Sequence, residues 1–98
     1  MPRFIVAPRA RDDLKSIGRY TQKNWGIKQR NKYLLGLEER FQWLAEHPNM
    51  GSKRDEIKEG YYSFPHESHT IFYMITPNAD INIIGLIGPG QSIEKYFN

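Results

Sequence analysis

Near residue 50 the spacing of apolar residues changes from a period of about 3.6 to a period of about 2, so this chain must build helices first and strands afterwards. In the first half, Ala10, Leu14, Ile17, Thr21 and Trp25 recur at helical intervals, and Gly26 follows. Pro8 suits the first turn of that helix, which we place from Arg9 to Trp25. A second helix is expected from Ile27 to Glu46, with Ile27, Leu34, Leu37, Phe41, Leu44 and Ala45 on one face and Pro48 as its stop. The glycine turn between them makes an antiparallel helical hairpin.

Before the hairpin, Arg3–Ala7 reads as a short strand ended by Pro8. After it, the polar run 49–56 reads as a loop. Strands are then expected at Ile57–Phe64, Thr70–Thr76 and Ile81–Ile87, the last two joined through Pro77-Asn78-Ala79-Asp80. The runs 71–75 and 81–87 are almost wholly apolar, which places them centrally under the helices. Gly88-Pro89-Gly90 ends the sheet, and Gln91–Phe97 can form a last helical turn. The order β-α-α-β-β-β predicts an α+β fold, a helical hairpin packed on a small antiparallel sheet. At 98 residues there is material for one domain, spanning 1–98.

The chain has no cysteine, which excludes disulfide frameworks, thiol nucleophiles and zinc ribbons. No apolar run approaches the roughly 20 residues of a membrane span, and the first residues are rich in charge. A cytoplasmic protein without a membrane partner is expected. Its charge is unevenly spread. Residues 1–32 hold nine Lys/Arg against two Asp, whereas residues 33–98 hold five Lys/Arg against nine Asp/Glu. The first third should attract an acidic partner, a polypeptide or a nucleic acid, the alternative being a merely solvated basic helix. Arg11, Lys15, Arg19 and Lys23 recur every four residues and form an outward basic stripe on the first helix. On the second helix, Leu35 and Trp43 project opposite to Leu34 and Phe41; the tryptophan is either an anchor for another chain or covered by the first helix or the C-terminal segment, and internal cover is the expectation.

Catalytic patterns are sparse. In His66-Glu67-Ser68-His69 the histidines stand three apart where a zinc helix needs four, and on one strand they would face opposite sides. Gly88-Pro89-Gly90-Gln91-Ser92 lacks the Gly-Lys-Ser/Thr ending of a phosphate loop. No G-x-S-x-G elbow surrounds Ser63 or Ser92. No metal and no cofactor are expected. One chemistry stays open, RNA cleavage by a ribose hydroxyl, for which Lys53, Arg54, Lys58, His66, His69, Tyr61, Tyr62 and Tyr73 supply the residue types. The net negative charge of that half opposes a polyanion.

An ordered set of residues from Pro8 to about Ile84 carries a resemblance. It comprises Pro8-Arg9-Ala10, Asp13-Leu14, Ile17, Tyr20, Trp25-Gly26, Phe41, Leu44-Ala45, Pro48, Gly51, Arg54-Asp55-Glu56-Ile57, Gly60, Ser63-Phe64-Pro65 and Ile71-Phe72-Tyr73. In this the chain resembles the ParE branch of the ParE/RelE superfamily of toxin–antitoxin modules. The resemblance implies the same fold and a toxin that poisons DNA gyrase by binding, without a catalytic centre, and is neutralised by an acidic ParD-like antitoxin. RelE-like relatives instead cleave mRNA on the ribosome, and that ribonuclease reading is the alternative, beside an inactive toxin that only binds its antitoxin. Two departures stand out: Tyr62 where many members carry arginine, and Gly88-Pro89-Gly90-Gln91-Ser92 in place of a His-x-Arg-x-Asp-like stretch. The expected antitoxin contacts are Arg11, Lys15, Arg19, Lys23 and Arg54. The expected gyrase or toxicity residues are Arg54, Tyr61, Tyr62, Lys95, Tyr96 and Phe97, with no direct nucleic-acid specificity.

Overall fold

Pro8 opens the first helix because its fixed φ suits a first turn and its missing N–H has no intrahelical partner to lose. In the computed structural model, which describes residues 2–98, α1 runs Pro8–Trp25 and α2 runs Ile27–Glu46. Gly26 separates them at φ 91°, a left-handed conformation suited to glycine, while its N–H donates to Gln22 O at 2.8 Å. Pro48 cannot continue α2 and instead begins a 3₁₀ turn over Pro48–Met50.

The strands are β1 (Phe4–Val6), β2 (Ser52–Lys53), β3 (Tyr61–His66), β4 (His69–Ile75) and β5 (Ile81–Ile87), and a short α3 (Ile93–Tyr96) closes the chain. Their spatial order is β1-β5-β4-β3-β2. All neighbours are antiparallel except β1, which runs parallel to β5 with Phe4 opposite Ile81 and Val6 opposite Ile83. The sheet is therefore mixed rather than antiparallel. The two helices and three strands that separate β1 from β5 in the chain leave their relative direction free, whereas a hairpin would force it.

Ile71, Tyr73, Ile81, Ile83 and Leu86 turn one face of the sheet toward Ala10 and Ile17 of α1 and Leu37, Phe41, Leu44 and Ala45 of α2. Leu37 and Leu44 are fully buried, and truncating either to alanine should cost about 2–5 kcal/mol. The far face carries a smaller cluster of Phe72, Ile87 and Tyr96, bordered by Ile57, Ile84, Ile93 and Phe97. A bulge on β5 lies where Phe72 pairs with Gly85 and Tyr73 with Ile83.

Several boundaries differ from the sequence expectation. Ser52–Lys53 adds an edge strand inside the expected loop. Ile57 belongs to a turn and packs on the far-face cluster, because successive turns through Arg54 and Lys58 delay β3 until Tyr61. Trp25 and Ile27, both placed on buried helix faces, are exposed. Trp43 is covered internally, but by Phe64 of β3 at 5.3 Å and by the Arg40 guanidinium at 4.8 Å rather than by α1 or the C-terminal segment. Leu35 lies open on α2.

Candidate functional site

Arg11, Lys15, Arg19 and Lys23 are all exposed along α1. Among the described residues none of the four pairs with a carboxylate, and Arg11 Nη2 donates to Val6 O at 3.4 Å. Of the two nearby acids, Asp12 is exposed while Asp13 turns inward, where its Oδ2 accepts Leu86 N–H at 3.0 Å and the Tyr96 hydroxyl. That inward turn leaves the stripe with less compensation than its sequence neighbours suggest.

Arg54, Tyr61, Lys95, Tyr96 and Phe97 belong to the far side of the sheet and its border. The Arg54 guanidinium lies 5.5 Å from the Phe72 ring centroid, donates to Ser63 Oγ at 3.1 Å and pairs with Glu56 at 2.7 Å. Hydrogen bonding from Arg54 holds the exposed Glu56 carboxyl below its usual range. Phe97 packs on Tyr61 at 5.5 Å and on Phe72 at 5.0 Å. Lys95 is exposed, whereas Tyr96 is buried: its ring lies under the Arg9 guanidinium at 3.6 Å and against Gly85, where a Cβ would collide with it. Burial, then the hydrogen bond to Asp13, pushes the Tyr96 phenol far above its usual value. Tyr62 is separate from this group. Strand alternation turns it to the helix face, where it stacks on Tyr73 at 5.5 Å and 18°.

The residue types suited to RNA cleavage are dispersed. The Tyr73 hydroxyl donates to Pro48 O at 2.7 Å and accepts Gly51 N–H at 3.0 Å, and burial raises its pKa. His69 Nδ1 lies 2.7 Å from the Tyr33 hydroxyl, on the helix side, away from Arg54. His66 and His69 do not face opposite sides: Glu67 at φ 52° helps fold the tetrapeptide into a two-residue hairpin turn, which makes the two histidines a cross-strand pair. Burial lowers both their pKa values, opposed at His66 by Glu67 and reinforced at His69 by His66. Among the described residues no three His, Cys, Asp or Glu side chains gather as metal ligands. Nor is any helix there long and apolar enough to cross a membrane.

An aromatic cleft escaped the sequence reading. It has a volume of about 730 Å³ and lies between the end of α1, α2, the β3–β4 turn and the Gly88-Pro89 loop. Tyr20 and Trp25, 62% and 64% exposed, meet edge to face at 6.0 Å on its α1 wall. Ile17, Thr21, Tyr33 and His69 line it further. The signal was available as Tyr20 and Trp25 flanking polar residues near the end of α1, beyond the part of the helix that β5 covers.

The family described as the ParE toxin of the type II toxin–antitoxin system parDE matches this chain over residues 4–93. Toxin ParE1 of Mycobacterium tuberculosis is 29% identical over 93 residues, covering 95% of each chain. Toxin ParE1 of Caulobacter vibrioides is 31% identical over 81 residues, covering 83% of this chain and 84% of that one. A solved structure described as the chromosomal ParDE TA system from P. aeruginosa shares the fold, with a TM-score of 0.76 at 18% identity over 90% of this chain and 96% of the other. Agreement of the sequence match with the shared fold leads to one assignment: this chain belongs to the ParE toxin family of parDE type II toxin–antitoxin systems.

Proposed function

We propose that this ParE toxin acts in the cytoplasm by binding DNA gyrase and stalling it, without chemistry of its own, and that an acidic ParD-like antitoxin neutralises it. The observation that carries this reading is the separate commitment of Arg54, His69 and Tyr73, which bond to Ser63 and Glu56, to Tyr33, and to Pro48 and Gly51 respectively. A base, a cation and a proton donor for phosphoryl chemistry must instead converge on one reacting atom. Docking is left to two surfaces. The basic stripe suits an acidic antitoxin segment, with Arg54 as a second cation, and the far-face group of Arg54, Tyr61, Lys95 and Phe97 suits the target enzyme.

Purified protein added to gyrase should inhibit supercoiling and cause gyrase-dependent DNA cleavage, and the purified antitoxin should reverse both. Unaltered supercoiling together with cuts inside translated messages after induction would replace this reading by the mRNA-cleaving one. Normal growth on induction would leave only antitoxin binding.

A further inference from the structure

Two nitrogens from different elements meet with their hydrogen-bonding capacity unspent. Among the described residues, Arg40 Nε on α2 and His66 Nε2 at the end of β3 are buried and have no hydrogen-bond partner. Buried polar groups are almost always paired, so two such atoms at one place point to a ligand. Both residues line a cavity of about 310 Å³, together with Gly36, Glu39 and Trp43. We propose that this cavity binds a hydrogen phosphate group, free or as the end of a phosphate monoester, through Arg40 and His66. None of its residues belongs to the two surfaces proposed above for the antitoxin and for gyrase.

Both groups are held in place before any ligand arrives. The Arg40 guanidinium lies 4.8 Å from the Trp43 ring and 5.3 Å from the Phe64 ring, and among the described residues it pairs with no carboxylate. Those rings fix its plane, and an oxyanion gains from a fork that is already ordered. The His66 ring packs edge to face on Tyr33 at 6.0 Å, and its side chain is only 11% exposed. Glu67 Oε2 stands 3.6 Å from His66 Nε2, beyond hydrogen-bond reach. Gly36 keeps the room beside the imidazole, since a Cβ there would stand 3.7 Å from Nε2 with no other atom as near.

The neighbouring acids select which anion fits. Glu39 lines the cavity and Glu67 stands beside His66, and both are exposed. They repel a fully ionised anion such as sulfate, whereas near pH 6 a phosphate still carries a P–O–H that donates to a carboxylate. The charged and titratable groups around His66 are Arg40, Glu39 and Tyr33 from α2, and Glu67 and His69 from the β3–β4 turn. Burial lowers the His66 pKa, Glu67 raises it and Arg40 lowers it. A bound anion offsets Arg40 and gives the imidazolium a partner, so binding should tighten as the pH falls from about 8 to about 6.

The test titrates sodium phosphate into the full chain at about pH 6, with sodium sulfate at equal ionic strength and a nucleoside 5′-monophosphate as the other arms. Phosphate should raise the melting temperature by about 3 °C or more and move the His66 imidazole titration, read by NMR, to higher pH. Sulfate should bind at least about tenfold more weakly. Tighter binding of the nucleotide than of phosphate identifies a nucleotide as the source, and equal or weaker binding identifies free phosphate. Arg40→Gln and His66→Phe should each weaken phosphate binding at least about tenfold. Gly36→Leu puts a better helix former than glycine on α2 and fills the cavity, so it should abolish binding without lowering the melting temperature. A Gly36→Leu protein that melts like the parent and still binds phosphate as the parent does overturns the proposal. So does sulfate that matches phosphate, or a phosphate effect that survives Arg40→Gln.

Discussion

The Asp13 carboxylate on α1 accepts the hydroxyl proton of Tyr96 on α3, joining residues 83 apart in sequence. The same oxygen accepts Leu86 N–H at 3.0 Å, a backbone donor on β5 beyond the point where β1 has ended. One side chain thus satisfies a strand that lacks a neighbour and ties the C-terminal turn to the helical layer. Asp13→Ala should lose about 2–4 kcal/mol, since two part-buried donors are left unmet. Thermal or urea unfolding measures it, and a cycle with Tyr96→Phe separates the two bonds.

Gly85 is fixed by the same tyrosine. A methyl group there would overlap the Tyr96 ring and hydroxyl. Gly85→Ala should cost about 1–3 kcal/mol through overpacking. In a Tyr96→Ala background the penalty should largely vanish, which denaturant midpoints would register.

Acid should weaken the fold through the β3–β4 hairpin. Burial depresses the pKa values of His66 and His69, so the unfolded chain takes up their protons more readily than the native one. Their contribution is complete above the unfolded value of about 6.5 and declines as the pH falls through it toward the lower folded values. Melting temperature followed from pH 8 to 5 should drop, and His69→Asn should flatten part of that slope while losing the Tyr33 bond at every pH.

Alkali should act on the other end of the molecule. Tyr96 and Tyr73 have raised pKa values, chiefly from burial, and the unfolded chain releases those protons first. Stability should fall as the pH passes about 10, and Tyr96→Phe should reduce the fall.

For the gyrase inhibition proposed above, the informative residue is Lys95, exposed beside the Phe97–Tyr61 contact. Lys95→Glu should reduce gyrase inhibition at least about tenfold with an unchanged melting temperature, because it reverses an exposed charge without touching the core. Growth after induction and supercoiling assays read it directly.

How far the sequence revealed this molecule depended on the range of each interaction. Pro8, Gly26 and Pro48 punctuate the helices locally, and the observed α1 and α2 follow them almost residue for residue. The parallel pairing of β1 was hidden because Phe4 meets Ile81 only after the helical hairpin and three strands intervene. The burial of Tyr96 depends on Asp13, Arg9 and Gly85, none of them near it in sequence. Trp25 shares the helical period of Ile17, yet no strand reaches far enough to cover it, and periodicity alone cannot say where a sheet stops. The basic stripe was legible because four exposed cations at one spacing need no partner to be recognised.

The parallel β1–β5 pair also sets the moment at which this toxin comes into being. Phe4 is made before its partner Ile81, which follows 77 positions later. At bacterial elongation rates of about 5–20 residues per second, roughly 4–15 s separate their synthesis. Until β5 is made, the nascent polypeptide has helices without the sheet they must cover, and it cannot present the far-face surface at all. The sheet therefore cannot be completed during most of the synthesis of this domain, and the helices find their cover only when the last strand is delivered.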